Sequence, residues 1–195
     1  MNPRATRAQV GGRQRDVAPV LNSFFVTHPD SVRALLRVES FPGSIWEPAV
    51  GDGTMAHVLA EGTDVRNVIP SDLVDRGSNL PGFFTHDFLG PGGCVGIDHV
   101  VTNPPFELGE RFVVKALSLN VPGKVAMFLR LAWLEGRGRH RRIWSTRPPA
   151  RVWVFSGRQP LRRNGGEWQT GLIAFGWFVW ERETCDTRLG WLPWP

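Results

Sequence analysis

The stretch Ser44-Ile45-Trp46-Glu47-Pro48-Ala49-Val50-Gly51-Asp52-Gly53, continued by Thr54-Met55-Ala56-His57-Val58-Leu59-Ala60, decides the fold. Its first residues read as a strand that opens into a glycine-containing turn. Met55, Val58 and Leu59 then recur at i, i+3 and i+4, which predicts an amphipathic helix over 54–61. Gly51 and Gly53 let the backbone pass close to a ligand, and the helix start offers free amide hydrogens. The spacing Gly-x-Gly is not the longer dinucleotide fingerprint, and no Lys-Ser/Thr follows, so the turn is poorly suited to phosphate. Glu47, just ahead of it, argues the same way and favours a cationic or amine-bearing ligand.

Downstream, further apolar runs end in polar residues. Val65-Arg66-Asn67-Val68-Ile69-Pro70 reads as a second strand ending at Ser71-Asp72, and Asp72 lies 25 positions after Glu47. That is close to where a ribose-binding acid falls in a nucleotide fold. After Phe83-Phe84 comes Thr85-His86-Asp87-Phe88-Leu89, where Asp87 is placed to accept from an adenine amino group and Phe88 to pack against the ring. Each acid taken alone reads more readily as a solvated loop carboxylate than as a site residue. The ordered series Glu47, Asp72, Asp87, Asn103, each closing an apolar run, is what points to a site.

The last member of that series opens Asn103-Pro104-Pro105-Phe106, directly after Ile97-Asp98-His99-Val100-Val101-Thr102. A short Val/Ile-rich run of this kind reads as a buried parallel strand, and sites gather at the carboxyl ends of such strands. Pro104 and Pro105 stiffen the backbone and supply no amide hydrogens. The turn therefore offers a side-chain oxygen, a backbone oxygen and an aromatic face. These suit a planar amino group, its hydrogens held by the two acceptors while Phe106 stacks on the attached ring. Asn-Pro-Pro by itself also serves as an ordinary loop.

Strands and helices alternate along the rest of the chain. A helix is expected from about Asp30, which is placed to cap it, through Val32, Leu35 and Leu36. Strands are expected at 44–47, 65–70, 82–84, 97–102, 124–130, 151–155 and 172–179. Helices are expected at 54–61, near 73–78, through Phe112, Val113 and Ala116, and near 137–145. This alternation predicts an α/β fold, a mostly parallel sheet with helices on both faces. Residues 1–19 carry Arg4, Arg7, Arg13 and Arg15 among small and polar residues and read as a flexible basic arm. Residues 20–195 read as one domain, since 195 residues hold a single full core.

Composition narrows the function classes. No apolar run approaches the ~18 residues of a membrane span, and no signal peptide is recognisable at the start. Cys94 and Cys185 are too isolated for a metal knuckle or a disulfide framework, so no metal is expected and a reducing cytoplasm is. The net charge is +5, and Lys115 and Lys124 are the only lysines. Arginine suits phosphate forks and base stacking, although a GC-rich coding genome raises arginine content equally. Arg137, Arg139 and Arg142 crowd one stretch and Arg158, Arg162 and Arg163 another, the latter in the loop Ser156–Thr170 that also holds Trp168. Basic clusters beside aromatics are an electrostatic footprint of nucleic-acid binding, and solvated surface is the alternative.

The run Glu-Pro-Ala-Val-Gly-Asp-Gly, then Asp72, Asp87-Phe88 and Asn-Pro-Pro-Phe, resembles the S-adenosylmethionine-dependent amino-methyltransferases, most of all the N6-adenine DNA methyltransferases. Phe24-Phe25-Val26-Thr27-His28-Pro29 is similar to the segment that precedes the family's first strand, with His28 inserted between Thr and Pro. The resemblance covers about residues 20–180. It implies a Rossmann-like class I methyltransferase with a seven-stranded sheet and an antiparallel final strand. It implies S-adenosylmethionine as cofactor, contacted by Thr27, Glu47, Ala49 and Gly51, then by Gly53, Asp72 and Leu73, and by Asp87, Phe88 and Asn103. Catalysis falls to Asn103, Pro104, Pro105 and Phe106, acting on N6 of an adenine flipped from duplex DNA. No segment is long enough for a separate target-recognition domain, which leaves weak sequence selectivity as the expectation. An RNA base or a glutamine amide is the alternative acceptor. A non-catalytic nucleic-acid-binding module is a third reading, against which the intact Glu47, Asp72, Asp87 and Asn103 count.

Overall fold

A computed structural model describes residues 24–62, 65–164, 166–182 and 186–194; the basic arm expected at 1–19 and Cys185 lie outside them. Strand β1 (Phe25–Thr27) leads into helix α1 (Pro29–Leu36), then β2 (Gly43–Glu47), α2 (Thr54–Ala60), β3 (Val65–Asp72) and β4 (Phe84–Thr85). β5 (His99–Thr102), α3 (Gly109–Ser118) and β6 (Val125–Arg130) follow. After a 3-10 turn at Leu131–Leu134 and a short helical stretch from Arg137 to Trp144 come β7 (Arg151–Phe155), β8 (Pro160–Arg163), β9 (Gln169–Thr170), β10 (Phe175–Trp180) and β11 (Arg188–Leu192).

Among the described residues the main sheet has eight strands in the order β11-β7-β10-β6-β5-β2-β3-β4. Only β10 runs against its neighbours: it pairs antiparallel with β6 and β7, while the other ladders are parallel. The expected mostly parallel sheet is therefore present, with one strand more than the seven implied. The extra strand is β11, whose main chain pairs with β7 from Arg188↔Arg151 to Leu192↔Phe155.

Alternation along the strands sorts the core into two layers. Val125, Met127 and Leu129 of β6 join Phe112, Val113 and Ala116 of α3 on one face. Ala126 and Phe128 point the other way, into a cluster with Val32 and Leu35 of α1 and Met55, Val58 and Leu59 of α2. Helices thus cover both faces. Two fully buried indoles have their N–H groups satisfied: Trp46 donates to Ser71 Oγ at 2.9 Å and Trp177 to the Ser31 carbonyl at 2.9 Å.

Three local expectations fail for identifiable reasons. The cap of α1 is His28, whose Nδ1 accepts from the Asp30 amide at 3.2 Å, and Asp30 sits inside the first turn. No helix forms near 73–78. There Asp72 and Asp75 accept from the amides of Val74 and Gly77, and Gly77 and Asn79 take positive φ, so side chains hold a run of turns instead. The loop Ser156–Thr170 is a hairpin: β8 and β9 pair antiparallel, and β8 also pairs with β1, Phe25↔Arg163 through Thr27↔Leu161. This small second sheet carries β1 over the carboxyl edge of the main one.

Candidate active site

Glu47 ends β2, Asp72 ends β3, Asn103 follows β5 and Arg130 ends β6, so four parallel strands deliver their last residues to one edge. A cavity of about 580 Å³ opens there, a size suited to a small-molecule ligand. Its wall brings together Thr27, Glu47, Ala49, Gly51, Asp72 and Leu73 with Asp87, Phe88, Asn103, Pro104, Pro105 and Phe106. Gly53 stands behind the wall. It opens α2 with φ 88°, and a Cβ there would meet Leu80 at 3.1 Å, so its role is to shape the turn.

The turn after β2 is braced from β3. Asp72 Oδ2 accepts the Gly51 amide at 2.9 Å, and the Ser71 carbonyl accepts the Val50 amide at 3.1 Å. Gly51 has φ 58°, and a Cβ on it would approach the Phe24 ring at 2.8 Å, so no larger residue fits. Asp72 therefore serves the turn with one oxygen and, through Oδ1, the Val74 amide. A carboxylate has further lone pairs for a ligand hydroxyl.

Glu47 is 1% exposed, and its Oε2 is buried without a partner. Burial, and then the negative charges of Asp72 and Asp52, push its carboxyl well above the usual range. A buried carboxylate kept among like charges is the complement of a cation. Asp87 lies on the exposed rim, where its Oδ1 accepts the Leu89 amide at 2.9 Å. Phe88 is a core residue, its ring against Trp46 at 5.1 Å and Phe112 at 4.9 Å.

The Asn103 amide is fixed from β1. Its Nδ2 donates to the Phe25 carbonyl at 3.0 Å and to Thr27 Oγ1 at 2.9 Å, while Oδ1 is buried and carries no hydrogen bond. Thr27, expected as a cofactor contact, thus also holds Asn103. The turn closes with the Leu108 amide donating to the Pro105 carbonyl at 2.9 Å. Phe106 stacks on Phe25 with centroids 4.8 Å apart, and the Arg130 guanidinium lies over its ring at 4.4 Å.

Of the seven residues read as nucleic-acid contacts, the cavity wall includes Arg163 alone. Arg162 pairs with Asp52 at 2.6 Å and lies over the Trp168 ring at 4.8 Å. Arg139 stacks on Trp133 and donates to the carbonyls of Trp133 and Glu135, and Arg142 pairs with Glu110. These three guanidinium groups each have a partner within the chain. Arg137 and Arg158 are exposed, and Trp168, over half covered, meets the His28 ring edge-on at 4.8 Å.

Among the wall residues that escaped the sequence reading are His86, Arg76 and Arg130. His86 Nε2 and the Nε atoms of both arginines are buried without partners. A histidine adjacent to Asp87 was a weak signal. For the arginines there was none, since isolated basic residues between apolar runs read as strand ends.

No protein-family model matches the chain, and no curated protein matches it in sequence. Solved structures do. The methyltransferase subunit of a type I restriction-modification system from Streptococcus thermophilus is similar with a TM-score of 0.56 at 12% identity, over 81% of this chain and 44% of that one. The chain has a methyltransferase fold. TrmN from Thermus thermophilus is similar at 0.51 and 24% identity, over 78% of this chain and 48% of its own. The 23S rRNA methyltransferase ErmE is similar at 0.50 and 14% identity, over 82% and 70%. This chain spans less than half the length of the first two. Among its described residues no helix is long and apolar enough to cross a membrane, and no group of His, Cys, Asp and Glu is arranged to hold a metal ion.

Proposed function

We propose that the chain is an S-adenosylmethionine-dependent methyltransferase that modifies the exocyclic N6 of adenine in DNA. The observation that carries this reading is the Asn103 amide, locked by Phe25 and Thr27 with its Oδ1 left buried and unpartnered in the cavity wall. An acceptor held in that way at a cavity wall fits an incoming N–H donor.

The residues present fit the cofactor. The unpartnered Glu47 Oε2 complements a cationic ligand, and Asp72 keeps lone pairs for a ribose hydroxyl. Asp87 on the rim and His86 beside it are the candidates for the adenine end. When bound, the cofactor supplies an electrophilic methyl group on a sulfonium.

The acceptor nitrogen is a poor nucleophile because its lone pair is delocalised into the ring. Asn103 Oδ1 and the Pro104 carbonyl, accepting its two hydrogens, favour a more tetrahedral and more nucleophilic nitrogen. Rigid presentation of that nitrogen supplies much of the remaining rate, and the two prolines and the β1 hydrogen bonds provide the rigidity. A duplex adenine must first leave the stack, at a cost of a few kcal/mol. Arg163, exposed at the cavity, is the residue best placed to meet the phosphates.

Incubation with tritiated S-adenosylmethionine and, separately, adenine-containing duplex DNA, RNA or protein extract tests the reading. Label in DNA, recovered as N6-methyladenine after hydrolysis, is the expected result. Label in RNA or protein alone assigns the same turn to a different acceptor, and no label in any arm indicates a binding module.

A further inference from the structure

We propose that Arg130 is the second slab of the acceptor site, so that a planar base is held between its guanidinium and Phe106. The proposal rests on the functional reading above and narrows it to ring-bearing acceptors.

Phe106 is crowded by Phe25, Phe175 and Arg130. Phe25 stacks on it at 4.8 Å with 23° between the planes, and Arg130 lies over it at 4.4 Å. A ring inserted beside Phe106 needs slabs about 7 Å apart, twice an ordinary stacking distance of roughly 3.5 Å. One neighbour must therefore withdraw. Phe25 is tied down: its carbonyl holds Asn103, its main chain pairs with Arg163, and Phe24 beside it bonds both ways with Asn164.

Arg130 is the movable one. Its main chain pairs with Phe175 at the end of β6, but its side chain makes no ion pair among the described residues and its Nε is buried without a partner. A cation resting on a ring with its Nε unpartnered lies where a planar ligand stacked on that ring would lie. Retreat by one ring thickness exchanges its contact with Phe106 for the same contact with an electron-rich base. It also frees its N–H donors for ring nitrogens. A glutamine amide has no ring to fill that gap. Thymine would set a carbonyl against Asn103 Oδ1, acceptor against acceptor.

The test uses two fluorescein-labelled thymine 12-mers, one with a single central adenine and one with an abasic site there, titrated against the full chain. Anisotropy is expected to show the wild-type protein preferring the adenine strand about tenfold, the size of one base stack. Arg130→Ala and Arg130→Lys are expected to lose that preference while binding the abasic strand and S-adenosylhomocysteine as the wild type does. The lysine variant separates planar stacking from charge alone. Either variant keeping the full preference overturns the role of Arg130 and leaves the functional reading standing. Absence of the preference in the wild type overturns the adenine reading, and the proposal with it.

Discussion

Arg162 of β8 and Asp52 of the turn after β2 form an ion pair at 2.6 Å, joining residues 110 positions apart. Their contact fastens the small sheet, which carries the Asn103-holding strand β1, to the glycine turn of the cavity. Both side chains are about three-quarters covered, and Trp168 screens the guanidinium from one side. A residue that reads in sequence as a phosphate contact is therefore a brace.

The brace and its neighbour should separate cleanly in solution. Arg162→Ala is expected to weaken cofactor binding through the turn, with an Arg162–Asp52 coupling of about 0.5–1 kcal/mol in a double-mutant cycle. Arg163→Ala should leave cofactor binding unchanged and lower the salt dependence of DNA binding by about one phosphate contact, a slope change near 0.9. Arg142→Ala, whose wild-type partner is Glu110, should leave that slope alone. A larger slope change in the Arg162 variant than in the Arg163 variant would restore the sequence reading.

Asn103→Ala should reduce turnover by about a hundredfold or more, because the acceptor aimed at the reacting nitrogen is removed. It also removes two donors to β1, so a fall in stability of about 1–2 kcal/mol is expected. Cofactor affinity, measured by calorimetry, should change little. Appreciable methylation of any acceptor by this variant would sink the mechanism.

Glu47 sets a pH dependence with a definite sign. Burial and then the charges of Asp72 and Asp52 raise its carboxyl well above the usual range, and a cationic ligand favours its ionised form. Binding should therefore release a proton, and affinity for S-adenosylmethionine should climb as pH rises towards and through the Glu47 titration. Its stability contribution, present at low pH, is lost as pH rises through that raised value, since the carboxyl must then ionise while buried. Glu47→Gln should abolish the proton release, seen as loss of buffer-dependent binding enthalpy, while making the empty protein more stable at neutral pH.

At the opposite end of the sheet the signs reverse. Burial alone pushes the Glu39 carboxyl up, but hydrogen bonds from Arg151, Lys124 and Trp153 hold it below the usual range. Stability from this group is present above its unfolded value near 4.5 and is lost as pH falls through the lowered folded value. Glu39→Gln should cost about 1.5–3 kcal/mol at neutral pH, since it removes one of the two carboxylates that hold Arg151 while Glu181 stays bonded to it, and should flatten the acid limb of thermal unfolding measured from pH 6 to pH 3.

Local chemistry by itself determined the parallel core of the sheet. The apolar runs at 44–47, 97–102, 124–130 and 151–155 all became strands, because buried parallel strands need unbroken apolar residues whatever surrounds them. The acids and Asn103 were legible for a related reason: a polar residue closing such a run sits at a strand's carboxyl edge. Only the tertiary structure decided the rest. Arg188–Leu192 carries no strong strand pattern and becomes β11 because the edge of β7 offers its unpaired backbone groups. Phe25–Thr27 and Pro160–Arg163 are too short to announce themselves and form strands by pairing with each other. The duties of the arginines were equally invisible, since composition counts charges and only contact tells which of them are already spent. Arg162 meets Asp52, Arg142 meets Glu110, and Arg130 lies on Phe106 through distances that span 110, 32 and 24 positions of sequence.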